Sequence, residues 1–263
     1  MAEWFGRDKR AGVTMKDGMK FRLNPKLDAK RLAARYAEAS RLRVENIFTE
    51  DTAKEIYKCL SELDWWLTYN DGNHVNELHP LHLRQMSPQD GAAIQQKIFE
   101  NARRQYQFIY NYYPMYAGYF APKLPPMSLD PVYEFLNSDR FLDFARKLTG
   151  HADIKWCDAQ ATLFRPTHFL KYHTDAQSEQ KRRAAYVLNF TTEWDTDWGG
   201  MLQFWNERGD VELAFKPTFN ALNIFTVPQP HSVSSVTQWA PGLRFSITGW
   251  MRADDPPGPI GEG

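Results

Sequence analysis

Four side chains of this sequence have the types and spacing to do chemistry together: His173, Asp175, His231 and Arg244. The stretch FLKYHTDAQSEQ carries His173 and Asp175 two positions apart, behind an apolar and aromatic run. In a strand, side chains at i and i+2 leave on the same face, so an imidazole and a carboxylate would project together. The H-x-D pattern alone is a weak signal, because a turn at a strand end explains it equally well. His231 lies 56 residues after Asp175, behind the β-rich run and two prolines of NIFTVPQPH. Folded back onto the first pair, it completes two histidines and a carboxylate. That set holds non-haem Fe(II) on one face and leaves other coordination positions open.

Arg244 opens RFSITGW, where alternation places Arg244, Ser246 and Thr248 on one face and Phe245 and Ile247 on the other. An arginine in so aromatic a setting needs a partner, since a buried unpaired charge is costly. A guanidinium fork beside a hydroxyl suits a ligand carboxylate; a structural ion pair is the plainer reading. Other candidates read as structural. His168 is a non-ligand. His74, His79 and His82 are irregularly spaced in GNHVNELHPLHLRQM, which points to a loop or substrate-facing lid rather than a second metal cluster. QKRR at 180–183 reads as a solvated strand entrance. Trp194 and Trp198 pack or border a loop that closes in the turn signal Gly199-Gly200.

These residues need elements to position them, and the chain has two textures. Residues 29–62 read as helix, in DAKRLAARYAEASRLR and then TEDTAKEIYKCLSEL. Thr49 or Asp51 can cap the second run, and Ala53, Ile56, Tyr57 and Leu60 repeat at helical spacing. Residues 91–112 read as helix again, through Ile94, Ile98, Ala102 and Tyr106. DPVYEFLNSDRFLDFARKLTG reads as a helix pair with Gly150 as C-cap. Beyond Gly150 the runs ATLFRP, RAAYVLNFT, MLQFWN, ELAFKP, ALNIFTV and RFSITGWM are short and β-rich, separated by turn residues. The expected fold is α+β, a jelly-roll core with N-terminal supporting helices. The expected organisation is one domain over 29–252, with helical support in 29–150 and the core in 151–252. A segment at 1–28 and a Pro/Gly-rich tail at 253–263 are read as flexible.

Composition bounds the rest. Of 263 residues, 43% are hydrophobic and 14% aromatic, enough to fill a core and to exclude wholesale disorder. With 32 basic against 32 acidic residues, the formal charge is zero, which argues against a broad hold on nucleic acid or anionic membrane. No run approaches a membrane span, and the N-terminal stretch lacks the apolar centre of a signal peptide. Cys59 and Cys157 form no CxxC pair, so a reducing cytoplasm fits.

Together, H-x-D, a distal histidine and R-x-S about a dozen residues later resemble the 2-oxoglutarate- and Fe(II)-dependent oxygenases. RRAAYVLNFTTEWDTDWGGMLQFW, FLNSDRFLDFARKLTG and VENIFTEDTAKEIYKCL are similar to segments of the prolyl-hydroxylase branch, most of all the ribosomal-protein prolyl hydroxylases. The resemblance spans about residues 44–252 and implies a double-stranded β-helix. It implies Fe(II) held by His173, Asp175 and His231, and 2-oxoglutarate paired with Arg244, with Ser246 as a second contact. It further implies O2 consumption, release of succinate and CO2, room for ascorbate, and hydroxylation of a prolyl residue in a protein or peptide. A free amino acid or small molecule as substrate, and a non-catalytic binding domain, stay open beside that reading. Relatives often carry a tyrosine nine residues before the first iron histidine; this chain has Phe164, and Tyr186 on the next strand is the candidate to supply the lost hydroxyl. Asp175 is retained where halogenating relatives have a small residue, which favours hydroxylation.

Overall fold

Local signals start the elements where the capping chemistry predicts. Helix α1 (Ala29–Ala39) begins at Asp28, whose side chain accepts from the Arg31 backbone N–H, and ends at Ser40 in the left-handed region. Helix α2 (Glu50–Ser61) follows Thr49, whose hydroxyl caps no backbone N–H and donates instead to Thr52 Oγ1 at 2.9 Å; Asp51 lies within the helix, which buries Ala53, Ile56 and Leu60. Helix α7 (Asp139–Thr149) is capped by Ser138 and closed by Gly150 at φ 76, the conformation glycine adopts without a Cβ penalty. The computed structural model describes residues 21–121, 127–177 and 181–260.

Thirteen strands among the described residues form one antiparallel sheet that rolls into a nearly closed barrel. They are β1 (Arg41–Glu45), β2 (Trp66–Asp71), β3 (His74–Leu78), β4 (Phe108–Tyr113), β5 (Trp156–Cys157), β6 (Gln160–Phe164) and β7 (Phe169–His173), then β8 (Arg182–Asn189), β9 (Leu202–Trp205), β10 (Val211–Phe215), β11 (Ala221–Thr226), β12 (His231–Val233) and β13 (Arg244–Arg252). The path runs β1-β11-β8-β13-β6-β4-β7-β12-β9-β10, with β2 on β4, β3 on β2 and β5 on β13. This is the double-stranded β-helix, a jelly roll with helices packed on one side.

Alternation sorts each strand's residues between two environments. Leu163, Tyr186, Leu188, Leu222, Ile224, Phe245 and Ile247 face outward and merge with the buried faces of α2, α6 (Asp130–Leu136) and α7. Ile56, Leu60, Val132, Leu136 and Phe141 are wholly buried there. Each such side chain contributes about 1.5–3 kcal/mol of hydrophobic stabilisation. The opposite phase, with Ala185, Val187, Phe204 and Phe225, turns into the barrel. The site residues share that interior phase.

Two expectations are corrected. The supporting half is not purely helical: Arg41–Glu45 leaves helix α1 and pairs with β11, from Arg41↔Phe225 to Glu45↔Ala221. The helix expected over 91–112 is α4 (Pro88–Ala102) only; Phe108–Tyr113 is strand. Its aromatic alternation suits a sheet, and pairing with β2, β6 and β7 overrides the helical spacing of Tyr106. The two end segments read as flexible are described only in part. Phe21 and Leu23 are buried, and the Trp156 indole donates to the Asp254 carbonyl at 2.9 Å. Residues 1–20 and 261–263 lie outside the described residues, as does Gln180 of the QKRR run.

Candidate metal centre

His173 is the last residue of β7, and His231 is the first of β12. The two strands pair antiparallel with His231 opposite His173, so the ladder itself sets the imidazoles side by side. Their ring centroids are 4.1 Å apart. Asp175 reaches them differently from the simple alternation expected. It lies beyond the strand end at φ 58, a left-handed backbone that returns its carboxylate to the same point. His173 Nε2 is 3.4 Å from Asp175 Oδ1, and His231 Nε2 is 3.5 Å from Oδ2. The ligand atoms of the trio lie within 4.8 Å of one another, and no second such cluster occurs among the described residues.

The second ring nitrogens decide what this cluster can hold. His173 Nδ1–H donates to the Lys171 carbonyl at 2.9 Å, and His231 Nδ1–H to the Gln229 carbonyl at 2.8 Å. A carbonyl can only accept, so the proton is fixed on Nδ1 and the Nε2 lone pair is left for a ligand. Burial, then the neighbouring His173, pulls His231 down to about 4, which keeps it neutral and able to coordinate at physiological pH. Burial would raise Asp175, but its bond to His173, the two imidazoles and the Trp250 indole outweigh burial and hold it below the usual range. Two neutral imidazoles and one carboxylate fit a divalent transition metal such as Fe(II). Side-chain exposures of 19% for His173, 10% for Asp175 and 6% for His231 put the mouth on the His173 side. Tyr106 stands at that mouth, half exposed, with its ring 5.9 Å from His173.

Arg244 lies deeper in the barrel. Its residue is 2% exposed, its Nε has no hydrogen-bond partner, and no carboxylate pairs with it among the described residues. Its guanidinium carbon sits 4.7 Å over the Phe164 ring. Nη1 makes one long bond, 3.5 Å, to Ser246 Oγ, which in turn pairs with Thr162 Oγ1 at 2.9 Å. A buried cation with spare donors beside a hydroxyl pair fits an organic carboxylate. Gly200, at φ 62, backs this arginine: a Cβ there would come 3.3 Å from Arg244 Cδ and 3.0 Å from Trp194.

Other expected residues fall elsewhere. Tyr186 does not supply a hydroxyl to the site. It sits on the outward phase of β8, in the helix-packed core, and donates to the Asp158 carbonyl at 2.7 Å. The tyrosine that does approach Phe164 is Tyr110 of β4, stacked on it at 5.2 Å and 16°. His79 caps α3 (Pro80–Gln85) by accepting from Leu81 N and packs edge-on against Trp66. His168 is buried, with Nδ1 unpartnered. Trp194 and Trp198 pair edge-to-face at 5.5 Å and pack beside Phe164. The motif alone does not reveal Trp250, whose indole donates to Asp175 Oδ2 at 3.0 Å. Strand phase reveals it, since Trp250 shares the face of Arg244, Ser246 and Thr248. Arg182 of the basic run lies 3.5 Å above that indole.

Known proteins can be set beside this geometry. A model of the 2OG-Fe(II) oxygenase superfamily matches residues 159–252. A solved Pseudomonas putida prolyl-4-hydroxylase is similar in fold, at 16% identity and TM-score 0.55, covering 86% of this chain and 100% of that one. A Trichoplax adhaerens prolyl hydroxylase, solved with a peptide of the hypoxia-inducible-factor oxygen degradation domain, aligns at 13% identity and TM-score 0.55, over 85% and 89% of the two chains. The non-haem alpha-ketoglutarate-dependent epimerase SnoN of nogalamycin biosynthesis aligns at 11% identity and TM-score 0.53, over 84% and 81%. No curated protein matches the sequence. At these identities the structural likeness speaks to fold alone, and the match to the 2OG-Fe(II) oxygenase superfamily model is confined to residues 159–252, in the barrel.

Proposed function

We propose that this protein is an Fe(II)- and 2-oxoglutarate-dependent dioxygenase that hydroxylates a prolyl residue of a protein or peptide. The observation that carries the reading is a metal-competent trio in the same barrel as a buried arginine that no carboxylate pairs among the described residues. His173, Asp175 and His231 would hold the metal, each imidazole aimed by its carbonyl-bound Nδ1–H. Arg244 and Ser246 would receive the distal carboxylate of 2-oxoglutarate. When bound, Fe(II), 2-oxoglutarate and O2 supply the oxidising power, with release of succinate and CO2. The chain's own part is to orient and to exclude water. Phe164 and Tyr110 wall the chamber with stacked rings, and Tyr106 narrows the entrance.

The prolyl target is favoured by fold likeness to two prolyl hydroxylases, one solved with a peptide; the fold-related epimerase makes a direct test necessary. Purified protein with Fe(II) and 2-oxoglutarate should form succinate, and His173→Ala or Asp175→Ala should abolish it. Mass spectrometry of candidate proteins should show one added oxygen on a prolyl residue, dependent on the enzyme. Turnover unchanged in either variant would remove the metal assignment. An oxygen found only on a free amino acid or small molecule would replace the prolyl reading.

A further inference from the structure

The two oxygens of Asp175 are not equivalent. Each faces an imidazole, Oδ1 the Nε2 of His173 at 3.4 Å and Oδ2 the Nε2 of His231 at 3.5 Å, but only Oδ2 also accepts a hydrogen bond, from the Trp250 indole N–H at 3.0 Å. We propose that Trp250 is a positioning residue whose N–H occupies Oδ2 and so makes Oδ1 the metal-binding oxygen. The inference rests on the metal reading of the trio. A lone pair engaged by a donor is a poorer ligand, and a carboxylate held through one oxygen takes one coordination position instead of two. The remaining positions stay available for cosubstrates.

Asp175 needs such a hold. It is a non-glycine residue in the left-handed region, outside any strand, so its backbone alone would not fix the carboxylate. Trp250 is itself immobilised from three sides. Its backbone N–H donates to Asp158 Oδ1 at 2.7 Å. Gly249 lies so close to the Asp158 carbonyl that a Cβ would sit 2.0 Å from it. The Arg182 guanidinium covers the indole at 3.5 Å and also donates to the Asp175 carbonyl at 3.4 Å. Asp158, which anchors the tryptophan, is buried and braced by Arg252 at 3.4 Å. The backbone is thus held on Asp158, and the ring lies between Arg182 and Asp175 with its N–H on Oδ2.

Trp250→Phe keeps an aromatic ring under Arg182 and removes the donor. Co(II), whose visible spectrum reports coordination number, is the probe, titrated into metal-free protein. The variant should keep the circular dichroism and thermal midpoint of the parent, bind Co(II) about tenfold more weakly and show a changed spectrum. Parental affinity and spectrum in the variant would overturn the proposal. If the phenylalanine variant fails to fold, benzothienylalanine at position 250 keeps the shape of indole with sulfur in place of N–H, and the same two outcomes decide. Parent protein that takes up no Co(II) would sink the metal reading and this proposal with it. Parent binding with an unaffected variant would sink the positioning role alone.

Discussion

Arg244 remains charged at neutral pH although burial pulls its guanidinium down to about 10. Without an acid it is a stability cost that a ligand carboxylate would offset. Arg244→Met should therefore raise the thermal midpoint of ligand-free protein, by about 1–4 kcal/mol in stability, and abolish stabilisation by 2-oxoglutarate. Calorimetry with and without 2-oxoglutarate checks both signs; a destabilised variant that still responds to 2-oxoglutarate would relocate the carboxylate site. His168 is the second residue whose burial has a solution consequence. Burial pulls it from 6.5 to about 4, so the unfolded chain takes up the proton first. Its depressed value gives stability present above pH 6.5 and lost as the pH falls towards 4, by a few kcal/mol. His168→Gln should flatten the fall of stability across that window in urea titrations; an unchanged slope would remove His168 from the account.

Strands carry these residues, and strand phase decides which of them meet. Arg244, Ser246 and Trp250 enter the barrel because Phe245, Ile247 and Met251 face the helices. The same rule turns Tyr186 outward while its neighbour Val187 points in. That choice is open in RRAAYVLNFT, where both phases are apolar enough to be buried. Phe108–Tyr113 shows a related ambiguity: the helical spacing of Ile94, Ile98, Ala102 and Tyr106 runs up to it, and only pairing with β2, β6 and β7 settles it as strand. Gly249 marks the tightest approach along β13. Gly249→Ala should destabilise the fold by about 1–3 kcal/mol and displace Trp250, because the Asp158 carbonyl leaves no room for a methyl group. Unchanged thermal stability together with parental Co(II) binding would show that the backbone relaxes freely there.

The barrel assembles from both halves of the chain: β1 closes on β11, and β4 is inserted between β6 and β7. No helix among the described residues is long and apolar enough to cross a membrane. A site built across strands so distant in sequence couples ligand to fold. Metal with 2-oxoglutarate should raise the midpoint, by about 2.7 kcal/mol of stability at a hundredfold excess over Kd, and a chelator should reverse it. His231→Ala should lose that response, and a response retained in the variant would mean binding elsewhere. Much of this was legible beforehand. Amphipathic runs such as TEDTAKEIYKCLSEL and DRFLDFARKLTG need only local spacing to declare a helix and its buried face. The types of the candidate side chains, and an arginine set amid aromatics, are likewise written in the chain. Their meeting is not. His231 lies opposite His173 because β12 pairs with β7 in one register, and Asp175 turns back because its backbone is left-handed. Trp250 reaches Asp175 from 75 residues away. Pairing partners, register and the buried side of each strand are non-local choices, made only when the whole sheet closes around a common interior.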